Sequence, residues 1–221
     1  MQYLPCTEIE PRLVANASVI WLHGLGASGD DFVPIVPLLA LPEQHQVRYV
    51  FPHAPEISVT INMGYRMPAW YDILEMTVER KIDCVGLLAS AKQVQALIQR
   101  EIDRGIASQR IIIAGFSQGG AVAYQSALTF QRPLGGLLVM SSYFASHASI
   151  NIHPCNRQLP IHIYHGSADT VVLEKLGLQA RQYLLAMGLQ PEYSRYYAEH
   201  NICPQQINDI ATELGHLLSR N

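Results

Sequence analysis

A serine set between glycines at the end of an apolar run is the first residue here that could carry covalent chemistry. The stretch "IIIAGFSQGG" puts Ser117 in a G-x-S-x-G pattern, and the helix-compatible "AVAYQSAL" follows it. The bare pattern arises by chance in about one chain of this length in fifteen, so its weight comes from its place between strand and helix. So tight a turn forces the serine into a strained backbone conformation and stands its Oγ at the sheet edge, while Gly115 and Gly119 admit neighbouring backbone. The N–H of Gln118, at the start of the helix, points toward the same place and can donate to an oxyanion.

A hydroxyl is a poor nucleophile at neutral pH, and Ser117 needs a histidine base that is itself oriented by a carboxylate. On a sheet of this kind the chain order is Ser, then Asp or Glu, then His. Asp169 follows the apolar run "IHIYH", and His200 stands in "YYAEHNICPQQ", after the last strand-like run and before the last helical one. Asp is also favoured at helix N-caps, which is the structural alternative for Asp169. The other histidines have plainer readings: His23 and His165 precede glycines at strand ends, and His216 lies within the final helical run.

The stretch "LHGLGASGDDF" admits two chemistries. Gly24, Gly26 and Gly29 satisfy G-x-G-x-x-G after an apolar run, the pattern of a dinucleotide-binding turn. That reading needs an acidic residue about 20 positions on to bind the ribose, and the next strand ends "YVFPH" with none. Asp30 and Asp31 would also set carboxylates where a pyrophosphate needs uncompensated N–H groups. The other reading has what it requires, a second oxyanion N–H from the loop after an early strand, supplied by Leu25. Asp30 or Asp31 then caps the next helix.

These residues need a sheet to hold them. Val19 to His23, Val47 to Phe51, Ile111 to Ala114, Leu137 to Ser141, Ile161 to His165 and Tyr193 to Tyr197 are short apolar runs, mostly bounded by Gly or Pro, as buried parallel strands are. Helical spacing runs from Val85 to Arg104, and further helices are expected from Gln118 to Phe130, Val172 to Met187 and Pro204 to Arg220. Alternation of this kind predicts an α/β fold, one domain over residues 1–221, with a mostly parallel twisted sheet covered by helices on both faces. The segment Pro52 to Lys81 fits neither period and is a candidate functional loop.

With 49% hydrophobic and 15% charged residues the chain can bury a full core, and Lys+Arg 15 against Asp+Glu 18 leaves no basic face for nucleic acid. No leader-like start and no membrane-length apolar run occur, so a soluble, cytoplasmic protein is expected. The four cysteines have no C-x-x-C spacing and are read as reduced, partly buried thiols. No H-E-x-x-H motif and no Cys/His cluster points to a metal, and the chemistry read above requires no metal or organic cofactor.

Together the blocks "LHGLGASGDDF", "INMGYRMPAWYD", "AGFSQGGAVAYQSAL" and "HGSADTVV…EHNICPQQI" resemble the acyl-protein thioesterase and carboxylesterase family of small α/β-hydrolases, from roughly Ser18 to Leu218. The resemblance implies a Ser117, Asp169, His200 triad, oxyanion N–H groups from Leu25 and Gln118, Trp70 close to the acyl groove, and no large lid domain. It implies hydrolysis of carboxylic esters, lysophospholipids or S-acylated proteins, and a homodimer is compatible with it. The alternative is a hydrolase fold kept as a non-catalytic binding protein, against which the intact constellation argues. One departure stands out, since many relatives carry Gly directly before the histidine, where this chain has Glu199. If that position needs positive φ, Glu strains the loop; a carboxylate there could also raise the basicity of His200 or point to solvent.

Overall fold

The computed structural model describes residues 3–75 and 81–220. Each expected apolar run forms a strand within two residues of its predicted ends. In chain order the strands are β1 (Cys6–Ile9), β2 (Ala17–Leu22), β3 (Val47–Pro52), β4 (Glu56–Val59), β5 (Tyr65–Pro68), β6 (Ile73–Glu75), β7 (Lys81–Ile82), β8 (Ile111–Phe116), β9 (Gly136–Met140), β10 (Ile161–Gly166) and β11 (Glu192–Tyr196). Five α-helices accompany them among the described residues: α1 (Ile35–Leu39), α2 (Cys84–Asp103), α3 (Gln118–Leu128), α4 (Glu174–Ala186) and α5 (Pro204–Ser219).

Seven strands make one sheet in the order β1-β3-β2-β8-β9-β10-β11, parallel throughout except for the antiparallel edge strand β1. Side chains alternate across a strand, so a continuously apolar strand feeds two cores. Ile20 and Leu22 of β2, with Ile111 and Ile113 of β8, pack under α2, α3 and α4, whereas Val19 and Trp21, with Ile112 and Ala114, pack under α1 and α5. This is the doubly covered α/β architecture expected. Among the described residues no separate lid domain overlies it.

The Pro52 to Lys81 segment is not an irregular loop. It holds the antiparallel hairpin β4–β5 and the short pair β6–β7, while residues 76–80 lie outside the described residues. All four cysteines are free; Cys6 and Cys203 are half-buried, but Cys84 and Cys155 are exposed rather than partly buried as expected. Burial pushes the Cys6 thiol up to about 11, against the opposing pull of Arg100. No described helix is long and apolar enough to cross a membrane.

Strand β1 has too short and too polar a run to be read from sequence. Charge attaches it: Arg48 of β3, 1% exposed, meets Glu8 and Glu10 from the β1 end of the chain and lies 3.1 Å from the wholly buried Glu101 of α2. Arg100 bridges Glu8 at 2.6 Å and Glu101 at 3.1 Å. Removing one partner of a buried pair leaves a charge without compensation. Arg48→Met is therefore expected to lower unfolding free energy in urea by roughly 3 kcal/mol, near the lower end for such losses because Arg100 still reaches Glu101. A loss below about 0.5 kcal/mol would show that the cluster is surface-like.

Candidate active site

The site stands at the carboxyl ends of β2, β8, β10 and β11. Strand β8 delivers Ser117 into a turn with φ 54° and ψ −121°, a left-handed conformation that a residue with a Cβ occupies only under constraint. Three hydrogen bonds hold it there: Ser117 N–H donates to Met140 O at 2.9 Å, and Ser117 O accepts from Ser142 Oγ at 2.6 Å and Gly120 N at 3.0 Å. Gly119 is required by close approach, since a Cβ there would lie 2.5 Å from His23 O and 2.6 Å from Leu22 O. The end of β2 is thereby pressed against the start of α3.

Two further loops meet this turn. His200, between β11 and α5, sets Nε2 2.9 Å from Ser117 Oγ and Nδ1 2.7 Å from Asp169 Oδ2. The other Asp169 oxygen accepts from Val171 N at 2.9 Å and Val172 N at 2.8 Å, so both carboxylate oxygens are engaged. The two loops are tied together by Ser167 N–H to Tyr196 O at 2.7 Å and Ala168 N–H to Ala198 O at 3.0 Å. Burial works to raise the Asp169 pKa, but the His200 hydrogen bond and charge and the two N–H groups outweigh it and hold the carboxyl below its ordinary value. Asp169 therefore stays ionised beside the imidazole. It caps its own turn but not α4, which begins at Glu174 after Leu173.

A cavity of about 460 Å³ opens over Ser117 and His200, walled by Gly24, Leu25 and Gln118 on one side and by Phe32, Ile61, Ile73 and Tyr143 on others. A shallower apolar groove of about 340 Å³ continues past Phe32, Phe116 and His200 toward Leu38, Ile202 and Ile207. In the Gly24–Gly29 loop, main-chain bonds engage Gly26 N–H with Pro68 O and Ala27 N–H with Gly24 O; among the described residues they leave the N–H groups of Leu25 and Gln118 uncommitted. Among those residues, too, no three His, Cys, Asp or Glu side chains converge as metal ligands would.

This geometry agrees with what the chain is similar to. The sequence profile of the Phospholipase/Carboxylesterase family matches residues 5–218. The chain belongs to that family, and it is a hydrolase. Acyl-protein thioesterase 1 of Neurospora crassa is 38% identical over 206 residues, covering 88% of this chain and 84% of the relative. A probable carboxylesterase of Oryza sativa subsp. japonica is also 38% identical, over 87% of this chain and 74% of its own. Among solved structures, Arabidopsis thaliana SOBER1 superposes with a TM-score of 0.86 at 31% identity, covering 92% of this chain and all of that one. Zea mays acyl-protein thioesterase 2 does so at 0.81 and 25%, covering 98% of this chain and 100% of the other.

Of the site residues singled out from sequence, Ser117, Asp169, His200, Leu25 and Gln118 come together in this family member and Trp70 does not line the cavity. The Trp70 ring is 1% exposed and lies beneath the site, donating from Nε1 to His23 O at 2.8 Å. The main-chain N–H of Trp70 donates to Gln118 Oε1 at 2.9 Å, and Gln118 Nε2 donates to Tyr71 O at 2.7 Å, so this segment clamps the serine turn from below. The apolar wall comes instead from Ile61 and Ile73, inside the segment marked as a candidate functional loop, and from Tyr143 after β9. The N-cap of the turn Gly29–Phe32 is Ser28, neither Asp30 nor Asp31, and Asp31 takes part only by closing the capping box, its carboxylate accepting from Ser28 N–H at 2.7 Å. Glu199 has no positive φ and is exposed, so it strains nothing.

Burial also holds the imidazoles of His23, His162 and His165 below their ordinary value of 6.5. The unfolded chain takes up protons at these rings as the pH falls through 6.5, and the folded chain does so only lower, so the stability they contribute is complete above that value and is lost on acidification. Asp169 adds nothing to this window, since its lowered pKa acts only below the carboxylate range. The urea midpoint should fall between about pH 7 and about pH 5; a midpoint unchanged over that range would contradict neutral buried imidazoles.

Proposed function

We propose that the protein hydrolyses carboxylic esters or thioesters through an acyl-Ser117 intermediate. The observation that carries this reading is the unbroken relay from Ser117 Oγ to His200 Nε2 at 2.9 Å and from His200 Nδ1 to Asp169 Oδ2 at 2.7 Å, at the floor of an apolar cavity. Asp169 keeps the proton on Nδ1, leaving the Nε2 lone pair free to accept the serine proton as Oγ attacks the carbonyl carbon. The carbonyl electron pair moves onto oxygen, where the N–H groups of Leu25 and Gln118 receive it. Collapse breaks the bond to the alcohol or thiol, and His200 gives its proton to that leaving atom. Water then attacks the acyl-serine with His200 again as base, and the acid leaves.

The apolar walls of Ile61, Ile73 and Tyr143 suit an acyl chain, and the groove beyond His200 gives the leaving group a route on the side of the proton donor. The relatives named as acyl-protein thioesterases and as a carboxylesterase favour an acyl ester or acylated-protein thioester as substrate. Ser117→Ala is expected to lower kcat by about 10⁶-fold on both an oxygen ester and a thioester of one acyl chain. Activity within about tenfold of the unsubstituted protein would rule out the acyl-serine route.

A further inference from the structure

His23 is completely buried, immediately before the glycine loop, and does not line the cavity. Its ring is nevertheless bonded at both nitrogens. Ala54 N–H donates to Nε2 at 3.1 Å, so Nε2 presents its lone pair and the ring proton sits on Nδ1. Nδ1 is 2.7 Å from the carbonyl oxygen of Gly24, which also receives the Ala27 N–H at 3.3 Å. The surroundings therefore select one neutral tautomer, consistent with a site that disfavours the charged ring.

A peptide group is planar and trans, so its C=O and N–H point in opposite directions. Fixing the Gly24 carbonyl fixes the Leu25 N–H. The same peptide lies directly beside the nucleophile, since a Cβ on Gly24 would come 3.3 Å from Ser117 Cβ. We propose that His23 is the positioning residue of the oxyanion hole: by holding the Gly24 carbonyl it aims the Leu25 N–H at the oxygen of the carbonyl that Ser117 attacks. This rests on the acyl-serine reading above. Its connections reach the second donor as well, through Trp70 Nε1 on His23 O and Trp70 N–H on the Gln118 side chain. The two N–H groups are thus set by one hydrogen-bonded assembly, with the Trp70 ring tilted against the imidazole at 5.1 Å.

Two substitutions separate aiming from mere support. In His23→Asn the side-chain amide nitrogen occupies the place of Nδ1 and keeps the donor to Gly24; in His23→Gln the side chain reaches the place of Nε2 and keeps the acceptor for Ala54. Each variant loses one buried hydrogen bond and should lose thermal stability comparably. We expect His23→Gln to lose about 10²-fold in kcat with KM little changed, and to bind a trifluoromethyl ketone, which forms the oxyanion adduct, more weakly by the same factor. His23→Asn should stay within about fivefold of the unsubstituted protein in both. Equal losses in the two variants, or His23→Gln within about threefold, would overturn the proposal. Should neither variant fold, imidazole ¹⁵N NMR of the unsubstituted protein decides: a proton on Nδ1 of His23 supports the role and a proton on Nε2 overturns it. Failure of the acyl-serine reading is seen separately, as full activity of Ser117→Ala.

Discussion

The positive φ of Ser117 is the constraint on which the rest of the site depends. Holding a residue with a Cβ at φ 54° costs about 1–3 kcal/mol, which the surroundings must offset. They do so with the bond that Ser117 N–H donates to Met140 O and those that its carbonyl accepts from Ser142 and Gly120. The same turn requires glycine at 119, because the carbonyls of Leu22 and His23 lie against it. The strained turn is thus locked between the ends of β2 and β9, which pair with β8 on either side, and the glycine loop after β2 arrives beside the serine.

The electrostatics follow a division between neutral and charged groups. Asp169 is buried with both oxygens engaged in hydrogen bonds, which keeps it charged. His165 sits beneath it, donating from Nε2 to Val172 O at 2.7 Å, and so braces the backbone whose N–H groups hold that carboxylate. The Arg48, Arg100, Glu8, Glu10 and Glu101 cluster lies among β1, β3 and α2, where its charges fasten the edge strand without lining the cavity. A buried carboxylate beside His200 and a polar loop with uncommitted N–H groups then face a mostly apolar cavity. Charge that develops during a reaction there would meet fixed dipoles rather than water.

Much of this is legible in the sequence because two patterns are local. Glycine at 115 and 119 around a serine requires a sharp strand-to-helix turn, and apolar runs bounded by Gly or Pro require buried strands. Position in the strand order then picks out Asp169 and His200 among many carboxylates and histidines. What stays illegible depends on contacts between distant residues. Nothing in "CTEI" marks an edge strand, since its attachment is to Arg48 and through it to Glu101, 95 and 93 residues beyond Cys6 and Glu8 respectively. Trp70 sits in a segment that does supply cavity wall through Ile61 and Ile73, but an indole packs equally well into a groove or a core, and only the Nε1 bond to His23 O decides. His23 carries one faint signal, its place before the glycine loop, and its bonds to Gly24 and Ala54 come only with the fold.

The central claim is that Ser117 is an activated nucleophile, and labelling the folded protein with a fluorophosphonate followed by peptide mass mapping tests it most directly. A single adduct on the peptide containing Ser117, abolished by heat denaturation and by replacement of His200, is the result predicted. No adduct, or an adduct that survives denaturation, would contradict the account, because it would mean that the relay at 2.9 Å and 2.7 Å does not activate the hydroxyl.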